Sequence, residues 1–272
     1  MPLYTTQQGV RMPTINAVRS WSDYVRRHHC RNTQLIYIPI IWRFQPYMPE
    51  FMSELTCEHI ENYLSTLKTK NRTINNHLIT IKSFGHWCSD HGIPNPASKV
   101  KKLPEDHPKQ RVLSEDEYAK VLAICKTKRE RCIIQLLGTT GLRANELISL
   151  RQGNIDPDNK FLHIIGKGNK PRTIPLCKVA QEAIDDYFNL PKSLTYITLY
   201  RLCKCLAHRA AISSFSPHAL RHFFATRLMR NGVNLYRISK ILGHSSVTTT
   251  EQIYIHFLAT IDLAGITDCL DK

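Results

Sequence analysis

His218 and Arg221 stand three residues apart, His244 follows Leu242-Gly243, and Tyr254 precedes Ile255-His256. Imidazoles, a guanidinium and a phenol in close succession are the groups needed to attack a phosphodiester without a metal. In such chemistry a phenol can serve as nucleophile, an imidazole can take its proton, and a guanidinium can bind charge building on the non-bridging oxygens. Two upstream segments add cations. Arg143 lies in Gly141-Leu142-Arg143-Ala144-Asn145-Glu146-Leu147, and Lys167 in Gly166-Lys167-Gly168-Asn169-Lys170-Pro171-Arg172. A lysine in a turn reaches into a cleft and can protonate a leaving oxygen. Gly168 follows Lys167 where a phosphate-binding loop needs Ser or Thr, so no nucleotide site is implied. Taken singly, each residue reads as an ordinary surface or packing residue; their order along the chain carries the reading.

That ordered set resembles the tyrosine recombinase (phage integrase, Xer-like) family, from about Arg111 to His256. The matching motifs are an Arg in GLR-x-x-E-L, a Lys in GKG-x-K-x-R, then H-x-x-R, LGH and a terminal Tyr. The resemblance implies that Arg143 and Arg221 hold the reacting phosphate, with His218 and His244 hydrogen-bonded to it. It makes Lys167, rather than Lys170, the general acid and Tyr254 the nucleophile that forms a 3′-phosphotyrosyl link. Glu146 supports Arg143 by an i,i+3 pair, and His218 can also accept the tyrosine proton. His222 reads as a packing residue. His256 stays open between an outer hydrogen-bonding role and simple exposure. His244 and Tyr254 are ten positions apart, one more than the usual family spacing, and the extra residue falls in SSVTTTEQ.

The elements that must position these groups follow from periodicity and capping. Ser114 with Glu117 forms a capping box opening a helix whose apolar side is Tyr118, Val121, Leu122 and Cys125. Phe161 to Ile165 and Arg172 to Leu176 are β-rich runs joined by a glycine-containing turn, which predicts a hairpin. Ser216 is placed to cap a helix with Pro217 at its first position, so His218 and Arg221 share one face of the opening turns. There the free N–H groups and the helix dipole favour phosphate. The pattern is helical from Lys178 onward, and Thr248 with Glu251 predicts a box starting the helix of Tyr254. Upstream, helices are expected around Thr14 to His29, Gln34 to Phe44 (interrupted by Pro39) and Thr56 to Leu67. A fourth, with Ile74, Leu78, Ile81, Phe84 and Cys88 at helical spacing, has Asn71 as a cap and Gly92 as a stop. The segment KVKKLPEDHPKQR reads as a linker.

The expected architecture is mainly α. An N-terminal helical core-binding domain (1–98), a linker (99–112) and an α+β catalytic domain (113–272) with a small antiparallel sheet make up the chain. Its formal charge of +15 divides into +7 before Val112 and +8 from there on, so both halves suit a polyanion and point to a clamp on double-stranded DNA. Nine cysteines include no C-x-x-C pair, which speaks against a metal or disulfide framework; no metal or other cofactor is expected. The N-terminal residues show no leader pattern and no run approaches a spanning helix, so a cytoplasmic, nucleoid-associated protein without membrane contact is expected. The resemblance further implies a homotetramer on synapsed sites, accessory proteins being undetermined. Rival readings are a type IB topoisomerase-like nicking-closing enzyme and a catalytically silent DNA-binding regulator of the same fold. In the tail, Phe257, Leu258, Ile261, Leu263, Ile266 and Leu270 form an apolar helix face that docks either on its own domain or on a neighbouring protomer.

Overall fold

A computed structural model describes residues 12–105, 111–156, 158, 160–166, 170–189 and 194–243. The chain divides into two units, Met1–Pro108 and Lys109–Lys272.

In the first unit, α1 (Thr14–His28) buries Ala17, Val18, Trp21 and Val25, a stripe at helical spacing. α2 (Arg31–Phe44) begins a turn earlier than its expected start at Gln34 and runs through Pro39 without a break. α3 (Cys57–Ser65) contributes Ile60 and Tyr63, and α4 (Asn71–Asp90) contributes Leu78, Ile81, Phe84 and Cys88 to the same core. The cap of α4 differs from the expectation. Lys70 is its N-cap residue, while the Asn71 amide donates to the Pro104 carbonyl at 2.8 Å. Asn75 donates to the Leu103 carbonyl and accepts from the Leu103 N–H, both at 2.9 Å. The first residues of the Pro-containing segment are thus laid along α4.

The buried Tyr63 hydroxyl is hydrogen-bonded to His77 Nδ1 at 2.7 Å. Burial, and then the Arg43 charge, hold His77 below the ordinary histidine value; burial also pushes the Tyr63 phenol up to about 12. Because the folded state binds the His77 proton more weakly than the unfolded chain, this contribution is complete above the unfolded value of about 6.5 and is lost as the pH falls below it. All three tryptophans, Trp21, Trp42 and Trp87, lie in the first unit, so indole fluorescence reports its unfolding alone. The melting temperature read this way should fall between pH 7 and 5. His77→Gln, which keeps a hydrogen-bonding amide but cannot titrate, should flatten that fall; an unchanged slope would dissociate His77 from it.

The second unit is built around α6 (Lys128–Thr140), whose Ile133, Ile134, Leu136 and Leu137 are all buried. The capping box at Ser114 is formed: Glu117 N–H donates to the Ser114 hydroxyl at 3.1 Å and Ser114 N–H to the Glu117 carboxylate at 2.9 Å, opening α5 (Glu115–Ala123). After α7 (Ala144–Ile148) come β1 (Phe161–Ile165) and β2 (Pro171–Pro175), an antiparallel pair with Ile164 opposite Arg172 and Leu162 opposite Ile174. α8 (Lys178–Phe188), α9 (Tyr196–Arg209), α10 (Pro217–Arg230) and α11 (Leu235–Leu242) complete the described part, and α8 and α10 pack on α6. On α9 Cys203 is buried and Cys205 exposed, as expected from their separation on a helix. The fold is mainly helical with a small two-stranded antiparallel sheet, as the sequence predicts. Among the described residues, no helix is long and apolar enough to cross a membrane.

Candidate active site

Two glycines bring the separate motifs together. Gly141 ends α6 at φ +64°, and a Cβ there would sit 2.4 Å from the Phe224 ring. Gly243 ends α11 at φ +65°, and a Cβ there would sit 2.9 Å from Arg172 Cδ. Left-handed backbone and close approach together call for glycine at both places. Arg221 then links the two helix ends: Nη1 donates to the Gly141 carbonyl at 2.7 Å and Nη2 to the Leu242 carbonyl at 2.5 Å. One guanidinium thereby satisfies a terminal carbonyl of α6 and another of α11, groups that have no partner within their own helices. It also fixes the spacing between GLR and LGH.

Arg143 is the N-cap residue of α7. Its backbone N–H donates to Glu146 Oε2 at 2.7 Å and its Nη1 to Glu146 Oε1 at 2.9 Å, so the i,i+3 pair is closed by the main chain as well as the side chain. Nη2 donates to the Gly243 carbonyl at 3.1 Å. The Arg143 side chain keeps 28% of its surface whereas Arg221 as a residue is 3% exposed, which makes Arg143 the more open cation. The short α7 is held from behind by the Tyr187 hydroxyl, which donates to the Leu147 carbonyl at 2.7 Å.

His218 lies three residues before Arg221 on α10, exposed at the surface. Pro217 occupies the first helical position, but Ser216 makes no side-chain cap hydrogen bond, contrary to the expected serine cap. Although the imidazole has an open face, the surrounding protein withdraws it from water. This desolvation, followed by the Arg221 and Arg143 charges, holds its pKa below the ordinary histidine value, with Glu146 opposing. Such an imidazole is neutral at physiological pH and has a lone pair to accept a proton. His222 is partly buried, its ring 6.3 Å from that of His218.

Glu146 is 9% exposed and accepts from two arginines. Arg172 Nη1 and Nη2 reach Oε1 and Oε2 at 2.8 and 2.6 Å, a bidentate pair in which the Arg172 side chain is 5% exposed. Burial alone would raise the Glu146 pKa; hydrogen bonds and charge from Arg172, with those from Arg143, overcome it and hold the carboxyl at about 2. Arg172 entered the sequence reading only as a letter of the hairpin motif. Its signal was the alternation Arg172-Ile174-Leu176, which puts an arginine on the inward face of a strand and calls for a buried carboxylate.

Arg143, His218, Arg221 and Glu146 are therefore gathered at one place. Lys167, His244 and Tyr254 lie outside the described residues, as do His256, the Thr248–Glu251 capping box and the tail. Their neighbours Gly166 and Gly243 are described. A Cβ on Gly166 would lie 3.9 Å from Arg143 Nη1, and Gly243 accepts from Arg143, so both preceding glycines adjoin that guanidinium.

The phage integrase family matches residues 111–260. A tyrosine recombinase XerC of Chlamydia trachomatis is 32% identical over 244 residues, covering 77% of this chain and 76% of that protein. A tyrosine recombinase XerA of Saccharolobus solfataricus is 29% identical, covering 82% and 81%. Among solved structures, a Tn1549 transposon integrase in complex with transposon right end DNA has a TM-score of 0.73 at 20% identity, over 89% of this chain and 95% of that one. A lambda integrase dimer bound to a COC′ core site has a TM-score of 0.72 at 18% identity, over 88% and 97%. These structures share the fold, while the sequence matches carry the kinship. The order of the motifs, the arginines they bring together and the extent of the family match lead to one conclusion: the chain belongs to the phage integrase family of tyrosine recombinases and is a site-specific DNA recombinase.

Proposed function

We propose that this recombinase cuts and rejoins double-stranded DNA through a 3′-phosphotyrosyl intermediate on Tyr254, with Arg143, Lys167, His218, Arg221 and His244 as the other catalytic residues and Glu146 in support. The observation that carries the reading is the meeting of Arg143 and Arg221 at the α6 and α11 ends, close enough to His218 for both charges to act on its imidazole, beside the glycines that precede Lys167 and His244. Tyr254 Oη forms a bond to phosphorus and the bond to the 5′ oxygen breaks. His218 accepts the phenol proton, Lys167 gives a proton to the leaving 5′ oxygen, and Arg143 and Arg221 stabilise charge on the non-bridging oxygens. His244 hydrogen-bonds the same phosphate. Attack by a 5′ hydroxyl on the phosphotyrosine reverses the step. One phosphodiester replaces another at similar energy, so the exchange needs no ATP, and the arginines supply the positive charge that a metal would otherwise bring to the phosphate.

The helical first unit acts as a core-binding domain and the second as the catalytic domain, joined by a linker through residues 99–112. Both halves of the sequence are basic, which supports contact with phosphates from both sides of the duplex. Four protomers on two synapsed sites would supply the four cleavages of a complete exchange, in the cytoplasm at the nucleoid.

The proton assignments make a chemical prediction. Lys167→Ala should slow cleavage of ordinary DNA by about 10²–10⁴-fold, the range for a lost general acid. It should regain most of that rate on a substrate with sulfur in the bridging 5′ position, a leaving group that needs no proton. Arg143→Ala should gain little, because its charge acts on the non-bridging oxygens. Single-turnover cleavage of the two substrates measures the contrast, and equal rescue of both variants would remove the general-acid role of Lys167.

A further inference from the structure

We infer that Arg172 is a positioning residue for DNA cleavage: by holding the Glu146 carboxylate and the last turn of α11 together, it sets Arg143 and the polypeptide leading to His244 in register. This rests on the proposed reading of Arg143 and His244. Arg172 itself is buried behind Glu146, with no role at the phosphate.

Three directed bonds carry the inference. The β1–β2 register opposes Arg172 to Ile164, on the inward side of the hairpin, so its guanidinium is delivered into the protein. Two nitrogens take both Glu146 oxygens, and the third, Nε, donates to the Ile241 carbonyl at 2.9 Å. Its aliphatic stem packs on Gly243 more closely than any Cβ would allow. One planar group thus ties β2, α7 and α11, the elements flanking Lys167, carrying Arg143 and leading to His244. Each of the two groups it holds also holds Arg143: Glu146 through Oε1 and Oε2, and the α11 end through the Gly243 carbonyl. A lysine ammonium has no planar fork to take two carboxylate oxygens and a carbonyl together. Removing the guanidinium also leaves Glu146 a buried carboxylate with one arginine instead of two, and its pKa then rises.

The test uses the full chain with Arg172→Lys, Arg172→Met, Glu146→Gln and the double variant Arg172→Met/Glu146→Gln, which removes the buried charge together with its partner. Covalent trapping on a nicked suicide substrate, half-site binding and melting temperature are measured for each. We expect Arg172→Lys to stay folded and bind its half-site as the parent does, yet cleave about 10²-fold more slowly, as a misplacement of roughly 1 Å allows. The acid limb of its rate, which in the parent comes from protonation of His218, should move to higher pH, because Glu146 protonates more readily without the guanidinium fork. Glu146→Gln and the double variant should be slow without that upward shift, and the double variant no slower than Arg172→Met. A folded Arg172→Lys with the parent rate and pH profile would overturn the inference. If Arg172→Lys is unfolded, the double variant decides: a loss equal to the product of the single losses would show that Arg172 does not act through Glu146. A parent chain that forms no adduct would refute the Tyr254 chemistry instead. In that case, hydrogen exchange at the α7 and α11 amides must quicken in Arg172→Met for the positioning role to stand, and unchanged exchange would end it.

Discussion

Tyr254→Phe is expected to bind its DNA half-site as the parent chain does and to form no covalent adduct. The substitution removes one oxygen and keeps the ring, so packing is nearly preserved. What disappears is the atom that bonds to phosphorus, and without it there is no covalent intermediate and no joining of one duplex to another. Trapping on a nicked suicide substrate, in which the released 5′ fragment diffuses away, gives the reading directly. Any tyrosine-linked DNA retained by Tyr254→Phe would move the nucleophile elsewhere. The sequence raises this question itself, because the spacing from His244 is one residue longer than is usual in the family.

Arg221→Ala is expected to lose both chemistry and stability, whereas Arg143→Ala loses chemistry alone. Removing the Arg221 guanidinium leaves the Gly141 and Leu242 carbonyls without their buried donor. A buried polar group deprived of its partner costs about 1–3 kcal/mol. The second unit should melt several degrees lower, read by far-ultraviolet circular dichroism because it has no tryptophan. Cleavage should fall by at least about 10²–10³-fold, the loss that follows deletion of one donor to a developing oxyanion. In Arg143→Ala, Glu146 keeps its bidentate partner Arg172 and the Gly243 carbonyl lies nearer to solvent. A similar loss of rate with little change in melting is expected. Equal destabilisation by both variants would contradict the assignment of Arg221 as the brace between α6 and α11.

The contrast between these arginines also marks what the sequence could reveal. Motif spacing and helix signals locate Arg143, His218 and Arg221, because Gly141, Gly243 and Pro217 announce the turns and helix start that hold them. The capping box at Ser114 and the hairpin were legible for the same reason: local hydrogen bonding and strand alternation fix them within a few residues. Longer-range preferences are absent from such patterns. Asn71 is a good cap residue, but Pro104, far along the chain, takes its amide, and α4 starts on Lys70. Likewise Pro39 remains inside α2, whose buried Ile40, Ile41 and Phe44 anchor it past the interruption. The largest omission was Arg172. Its inward direction can be read from alternation in β2, yet its partners come from α7 and α11, and no local rule pairs residues so far apart.

The central claim is that Tyr254 becomes joined to a 3′ phosphate, and one measurement meets it directly. The parent chain is trapped on its suicide substrate, the complex is digested with nuclease and trypsin, and the nucleotide-bearing peptide is sequenced by mass spectrometry. Cleavage after Lys240 gives a peptide from Ile241 to Lys272 in which Tyr254 is the one tyrosine. This peptide is predicted to carry the nucleotide on Tyr254 through a 3′ phosphate, with a free 5′ hydroxyl on the released strand. A nucleotide on the peptide containing Tyr236, a linkage to a 5′ phosphate, or cleaved DNA with no attached peptide would contradict it.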